Sequence, residues 1–497
     1  MLHQVSMLMT SAKNSSMSDS TIPDSTALPV EEMMVIVEEL LNDYHEPTEI
    51  GPGLNALYIF QQSQQQAHHS IRQVANRLLY AAWEELKEKH AEDATFIEKR
   101  FFDRGKMAVV ARSMNVSDGH IFNIRRRAFK LLAHILLEQE LSARAVNQAK
   151  WRNRLNRASY HTLFGLEERQ KGLLPILISS DAPWLTIIEG IGGIGKTSLA
   201  NWLVRQMIDR CEYDDIGWIS VQTQELLPHG TVVQRAVNNP EQHPECERVL
   251  RLLVAQLLPD FPLTTDIGSE QLVRVLDARF SAVRHLVVID NLESLSTLEQ
   301  LVPLLERFAN PSRFILTSRE RLPTATAAYR YVVTALSETE SLALLRAEAE
   351  LGGLQEFAQL SDEQLLPIYE AVGGNPLALR LVVGLGHTQS VSAIVAGLKE
   401  APTSKIEELY RYIFWQAWQQ LDEITKEIFI YMPLTNIEGD PLSIIVDAQA
   451  CDRAVVQSEL DRLVDLNLVN VHRVEPEYRY SIHSLTRTFL LNDAIQW

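Results

Sequence analysis

The clearest periodicity in the chain is a switch between two patterns over residues 185–320. Short runs of consecutive apolar, β-prone residues alternate with longer stretches whose apolar positions recur every three to four residues. The first pattern predicts strands buried on both faces, and the second predicts amphipathic helices. Strands are expected at Leu185–Ile188, Ile216–Val221, Leu286–Ile289 and Phe314–Leu316. Helices are expected at Thr197–Arg210, Glu247–Leu258, Glu270–Ser281 and Thr297–Ala309. Such alternation predicts a parallel sheet with helices on both faces.

The flanking regions read differently. Residues 30–142 show helical spacing almost throughout, as in Glu31–Leu41 and Ile71–Leu86, with a break at Gly51-Pro52-Gly53. Beyond Tyr329–Val333, a last strand, Leu336–Leu345 reads as a capped helix with Ser337 as N-cap and Glu340 three residues on. Residues 321–400 are then helical. Residues 401–497 give an aromatic-rich helix at Tyr410–Leu421, two more at Thr425–Met432 and Ala454–Leu463, and a hairpin of Leu468–Val474 and Tyr478–Ile482. Helices followed by a hairpin are the order of a winged helix. Residues 1–29 are Ser/Thr/Met-rich and aperiodic and read as a disordered tail, and 143–157 as a basic linker helix. The predicted architecture is therefore multidomain α/β plus α: 30–142 helical, 158–320 α/β, 321–400 helical and 401–497 winged-helix-like.

Composition narrows this modestly. The 497 residues are 46% hydrophobic and 22% charged, as in ordinary globular protein. A net charge of −18 argues against a chain that binds nucleic acid or a membrane surface along its whole length. Three scattered cysteines fit a reducing cytoplasm and offer no metal site. No apolar run reaches membrane-spanning length, no signal peptide is evident, and no repeat of 20–50 residues emerges.

Candidate chemistry concentrates between the first strand and the next helix. The stretch L-T-I-I-E-G-I-G-G-I-G-K-T-S contains G-x-x-x-x-G-K-[ST], set by Gly190, Gly195, Lys196 and Thr197. A strand before and a helix after make this a phosphate-binding P-loop. Glycines, including Gly192 and Gly193, let backbone N–H groups wrap an anion, and the helix start adds its positive dipole end. Lys196 reaches the β/γ-phosphates, Thr197 ligates Mg²⁺, and Ser198 completes the cradle. The run H-L-V-V-I-D-N-L-E ends a buried strand in Asp290, a second Mg²⁺ residue. Asn291 follows Asp290, and Glu293 is the nearest remaining carboxylate, readable as a general base or, alternatively, as a helix N-terminal acid; slow hydrolysis is expected. R-F-I-L-T-S-R places Arg319 at a strand end, where it can sense a γ-phosphate.

Within the helical region, Lys106–Met114, a turn at Asn115-Val116 and a helix capped by Ser117 from Asp118 to Leu132 predict a helix-turn-helix. Thr95 to Lys130 holds nine Lys/Arg and three acids, a local charge of +6. DNA contact would place Ser117, His120 and Asn123 near base edges and Arg125, Arg126 and Arg127 near phosphates. The alternative is a helical interaction domain that binds protein.

These motifs together resemble the NB-ARC branch of the STAND signalling ATPases, over roughly Tyr160 to the end of the chain. The N-terminal region resembles sigma-region-4-like helix-turn-helix domains of bacterial type. L-F-G-L-E-E, 163–168, is similar to the family's entry motif, with Leu166 where arginine is usual. G-G-N-P-L-A-L, 373–379, matches its G-x-P-L motif, implying that Pro376 packs on adenine. Y-S-I-H-S matches its M-H-D motif, implying that His483 meets the β-phosphate of ADP, with Ser484 replacing the aspartate. The resemblance implies an ATP/ADP switch with weak ATPase activity that self-associates when loaded with ATP and works with a signalling partner. The N-terminal region is then a DNA-binding module of a transcription regulator or, alternatively, the protein-binding module of a defence or signalling scaffold.

Overall fold

The structure is a computed structural model. It describes residues 29–46, 52–66, 70–155, 160, 162–179, 181–221, 224–226, 232–234, 244–264, 267–292, 295–309, 311–319, 328–400, 406–436, 439–449, 451–474 and 477–491. The expected N-terminal tail lies outside these residues. The chain divides into two compact units, 1–147 and 148–497.

Among its described residues the first unit is all-helical. Its elements are α1 (Val30–Asn42), α2 (Pro52–Asn55), α3 (Tyr58–Gln66), α4 (Ile71–Lys89), α5 (Ala91–Ile97), α6 (Met107–Ser113) and α7 (Asp118–Arg152), with a π-helical turn at Glu98–Phe102. One apolar core built around Phe60, Leu79, Trp83, Phe96, Ile121 and Ile124 joins them. The buried Glu140 carboxylate accepts the backbone N–H groups of Tyr58 and Ile59, both at 2.9 Å, and so satisfies orphan donors at the start of α3. α6 and α7 meet through Asn115, at φ 56°, and Ser117 Oγ accepts His120 N–H at 3.3 Å. The expected stop near Leu132 is absent. No proline and no glycine after Gly119 interrupts the run, so the helix passes through the expected boundary at 142/143 and ends at Arg152.

The second unit opens with the end of that helix packed on the α/β layer. Trp151 is buried and donates Nε1–H to Asp215 at 3.0 Å. Arg154 and Arg279 also pair with Asp215, at 2.6 and 2.9 Å. Arg152 pairs with Asp209. Two of the supposed linker's basic residues are therefore structural partners of the next layer. α8 (Leu166–Ile178) follows, then β1 (Leu185–Glu189), α9 (Lys196–Arg210), β2 (Asp215–Ser220), a small β3–β4 pair (Gln224–Leu226 and Val232–Gln234), α10 (Pro244–Leu257), α11 (Ser269–Ala282), β5 (His285–Leu292), α12 (Leu295–Phe308), β6 (Arg313–Ser318) and β7 (Tyr329–Val332). The five-stranded sheet has order β2-β5-β6-β1-β7, and every pairing is parallel. β1, β5 and β6 are almost wholly buried, as their unbroken apolar runs require.

Helices α13 (Glu338–Leu351), α14 (Gln355–Ala358), α15 (Asp362–Val372), α16 (Pro376–Leu385), α17 (Val391–Glu400), α18 (Ile406–Gln419) and α19 (Glu423–Tyr431) come next. The Ser337/Glu340 capping box forms at the start of α13. Strand β8 (Asp440–Pro441), α20 (Leu442–Ala448), α21 (Arg453–Asp465), β9 (Asn470–Val474), β10 (Glu477–Ser481) and α22 (Ser484–Phe489) complete the chain. The hairpin β9–β10 gains β8 as a third strand, which gives the winged-helix-like segment a small sheet. The helical and winged-helix-like segments share one core running from Leu336 to Leu490.

Candidate functional site

Sheet order sets the geometry. β6 lies between β1 and β5, so the loop after β1 and the acid at the end of β5 face each other across one intervening strand. Thr317 on β6 fills that gap. Its Oγ1 donates to Asp290 Oδ1 at 2.6 Å, and Thr197 Oγ1 donates to the same oxygen at 2.8 Å. Thr317 Oγ1 also accepts the N–H of Asn291 at 2.8 Å. Asn291 sits at φ 65°, where the β5–β6 register shifts between Ile289 and Leu292. This bulge re-aims the strand end, as bulges beside functional sites do. Burial pushes the Asp290 carboxyl above its ordinary range, and the two threonine hydroxyls and Lys196 counter that only in part.

The P-loop turns through Gly190, Gly193 and Gly195, at φ 157°, 71° and 99°. Lys196 Nζ donates to the Gly190 and Ile191 carbonyls, both at 2.9 Å. A Cβ at Gly193 would stand 2.2 Å from the Tyr410 hydroxyl and 2.9 Å from Leu377 Cβ. The loop is held from outside the sheet. Asn375 is 1% exposed, accepts Leu377 N–H at 3.1 Å as the N-cap of α16, and donates Nδ2–H to Gly192 O at 3.0 Å. Tyr410 Oη donates to Asn375 Oδ1 and lies 3.3 Å from Gly192 O. Leu377 N–H also reaches Gly193 O at 3.3 Å. Sequence reasoning assigned neither Asn375 nor Tyr410 a role here; the clue to Asn375 was its position as N-cap directly before a proline.

A cavity of about 280 Å³ opens at this point. Gly192, Gly193, Gly195, Lys196, Thr197, Ser198, Asp290, Arg319, Pro376 and His483 all line it. Gly190 lies outside the lining but shapes the turn. Leu166, Arg169, Arg380, Glu348, Asn470 and His472 line it as well. Glu293 lies outside the described residues, as does the side chain of Ser484. Leu485 N–H donates to His483 Nδ1 at 3.1 Å, so the imidazole proton sits on Nε2. Burial, then Arg319, Arg380 and Lys196, push this imidazole down to about 3, so it is neutral at pH 7.

The donor set suits a nucleotide with Mg²⁺. Positive-φ glycines and the start of α9 form an anion cradle, and Thr197 with Asp290 offers one hydroxyl and one carboxylate. Among the described residues, no three His, Cys, Asp or Glu converge as a separate metal cage.

On the first unit, Ser117, His120, Asn123, Arg126 and Arg127 are exposed. Arg125 pairs with Glu38 at 2.7 Å, and Arg127 with Glu92 at 2.5 Å and Asp93 at 2.9 Å. These three acids lie outside the Thr95–Lys130 window; counted with it, they halve its charge of +6.

Sheet order, P-loop and Asp290 together define a P-loop nucleoside triphosphatase fold. Within it, residues 167–352 match the NB-ARC domain model. Disease resistance protein RPP8 of Arabidopsis thaliana is 33% identical over 86 residues, 17% of this chain and 9% of that protein. Disease resistance protein RPV1 of Vitis rotundifolia is 27% identical over 282 residues, 54% of this chain and 18% of that protein. The chain thus spans less than a fifth of these relatives. Among solved structures, a STAND protein with a tetratricopeptide repeat sensor from Pyrococcus horikoshii aligns over 68% of this chain and 44% of its own, at 17% identity and TM-score 0.43. Cdc6p from Pyrobaculum aerophilum aligns over 68% and 96%, at 12% identity and TM-score 0.34. Neither likeness is close enough to carry an argument about this chain. Among the described residues, no helix is long and apolar enough to cross a membrane.

Proposed function

We propose that the chain is an ATP/ADP-operated switch of the STAND type. One observation carries the reading: the P-loop, Asp290, Arg319, Pro376 and His483 line one cavity, although they come from the sheet, helical and winged-helix-like segments. A ligand held there contacts all three segments at once, so its identity can bias how they pack. Lys196 and the glycine cradle hold the phosphates. Thr197 and Asp290 would hold Mg²⁺, which would supply charge neutralisation for the phosphates. Pro376 lies against the base, and neutral His483 donates Nε2–H to a diphosphate. Arg319 reads a third phosphate. With Asn291 beside Asp290, hydrolysis is slow and resets the switch. The triphosphate state self-associates, and a signalling partner supplies the input; a cytoplasmic location belongs to the same reading.

The nucleotide content and mass of the purified full chain test this. Expected are bound ADP in a monomer and larger species after loading with ATP and Mg²⁺. A tight oligomer free of nucleotide refutes it.

For the first unit the helix-turn-helix reading remains the first proposal, with Ser117, His120, Asn123 and Arg126 as its exposed contacts. A protein-binding module is the second. It is favoured by the ion pairs that occupy Arg125 and Arg127, and by Val109 and Phe122, each 56% exposed on the two helices concerned. Salt-dependent binding of duplex DNA by the full chain, weakened by Arg126→Ala, supports the first; no binding at low salt supports the second.

A further inference from the structure

A basic side chain that the nucleotide reading leaves unused enters the cavity from the helical segment. Arg380 lies four residues beyond Pro376 on α16, one turn along the same face, and both line the cavity. Its Nε stands 3.1 Å from Glu348 Oε1 on α13, with the two side chains 22% and 12% exposed. The backbone beneath it is pinned. Asn467 donates Nδ2–H to the Arg380 carbonyl at 2.9 Å, and a Cβ on Gly384, one turn on, would stand 2.2 Å from Leu466 O. Helix α16 is therefore closely packed on the Leu466–Asn467 backbone at this point.

The charges around it point to an anion with several phosphate groups. Five basic side chains line the cavity, Arg169, Lys196, Arg319, Arg380 and Arg487, against two carboxylates, Asp290 and Glu348; Arg169 and Arg487 donate to backbone carbonyls, and Lys196, Arg319 and Arg380 come from the P-loop, the end of β6 and α16. Asp290 is engaged by the hydroxyls of Thr197 and Thr317. Glu348 faces Arg380. A diphosphate seated on the P-loop draws on Lys196 and the loop N–H groups. A third phosphate adds charge beyond the loop, and a planar guanidinium matches phosphate as well as it matches carboxylate.

We propose that Arg380 is a second reader of the third phosphate, exchanging its Glu348 partner for that group when a nucleoside triphosphate is bound. The proposal rests on the nucleotide-switch reading and extends it to α16. One ion pair replaces another, and no covalent bond is made or broken. Glu348 then acts as a competitor that holds Arg380 until the third phosphate arrives. Arg319 and Arg380 approach from different segments, so a triphosphate draws the sheet and the helical segment onto one group.

Calorimetric titration of the full chain with ADP and with a non-hydrolysable ATP analogue, both with Mg²⁺, tests this. Arg380→Gln is expected to weaken the triphosphate by about ten- to hundredfold, the size of a charged hydrogen bond, and to leave ADP nearly unchanged. Arg380→Lys should fall between. Glu348→Gln should strengthen the triphosphate and not ADP. Should Arg380→Gln fail to fold, the Glu348→Gln gain still decides, because a selective gain cannot come from unfolding. Equal loss for both nucleotides, or none, overturns the proposal. Lys196→Ala is the control: if it abolishes binding while the Arg380 and Glu348 variants fail to discriminate, only this proposal falls. If the unaltered chain binds neither nucleotide, the switch reading falls with it.

Discussion

Asn375 offers the sharpest test of how the P-loop is held. Its side chain caps α16, accepts the Tyr410 hydroxyl and donates to the Gly192 carbonyl, all while buried. Asn375→Ala removes an N-cap, about 0.5–2 kcal/mol, and takes away both the nearer acceptor of the Tyr410 hydroxyl and the donor to the Gly192 carbonyl, about 1–3 kcal/mol. A total of about 2–4 kcal/mol is expected, since the two losses overlap. Asn375→Asp separates the parts. It keeps the acceptor that caps α16 and receives Tyr410, but sets a carboxylate against the Gly192 carbonyl. Stability should then suffer less than in Asn375→Ala, while ADP affinity suffers at least as much. Tyr410→Phe should cost about 1 kcal/mol, and combined with Asn375→Ala it should cost less than the sum. Urea unfolding and ADP titration measure the two effects. If Asn375→Asp matches the unaltered chain in both, the Gly192 contact does not hold the loop, and the reasoning fails.

Asp290→Asn should remove most Mg²⁺ dependence from triphosphate binding while leaving ADP binding without metal nearly intact, as titration with and without EDTA shows. His483, pushed down to about 3 from 6.5, contributes stability that is full above pH 6.5 and is lost as pH falls toward 3; His483→Gln should flatten the melting temperature over pH 5–6.5. Burial alone would raise the Asp215 carboxyl, but Arg154, His285 and Arg279 outweigh it and hold it below 3.8. Its contribution is therefore full above that value and fades as pH falls through its lowered range; Asp215→Ala, which leaves two arginines facing a void, should cost about 3–5 kcal/mol in urea unfolding at pH 7. Gly193→Ala should abolish nucleotide binding through its clash with Tyr410, and Tyr410→Ala in the same chain should restore part of it in the same titration.

The α/β segment was legible because strands buried on both faces need unbroken apolar runs, and the P-loop reads as a local string of eight residues. What stayed hidden depends on pairing between distant positions. Tyr410 read as a core aromatic, which it is; nothing local shows that its hydroxyl reaches a glycine 218 residues earlier. Arg125 and Arg127 read as open phosphate contacts because Glu38 and Asp93, 87 and 34 positions away, join them only in the fold. The length of α7 was missed for another reason. Polar composition suggested a linker, but composition does not end a helix when neither proline nor glycine intervenes.

The distance between Gly192 and Tyr410 also has a meaning in time. A ribosome adding about 5–20 residues per second needs about 10–40 s to travel from the P-loop to the tyrosine that steadies it, and longer to reach His483. Throughout that interval the sheet can form, but its glycine loop lacks the walls supplied by the later segments. The nucleotide pocket is thus among the last parts of the second unit to be completed. Tight nucleotide capture would then mark chains whose synthesis and folding have both run to the end of that unit.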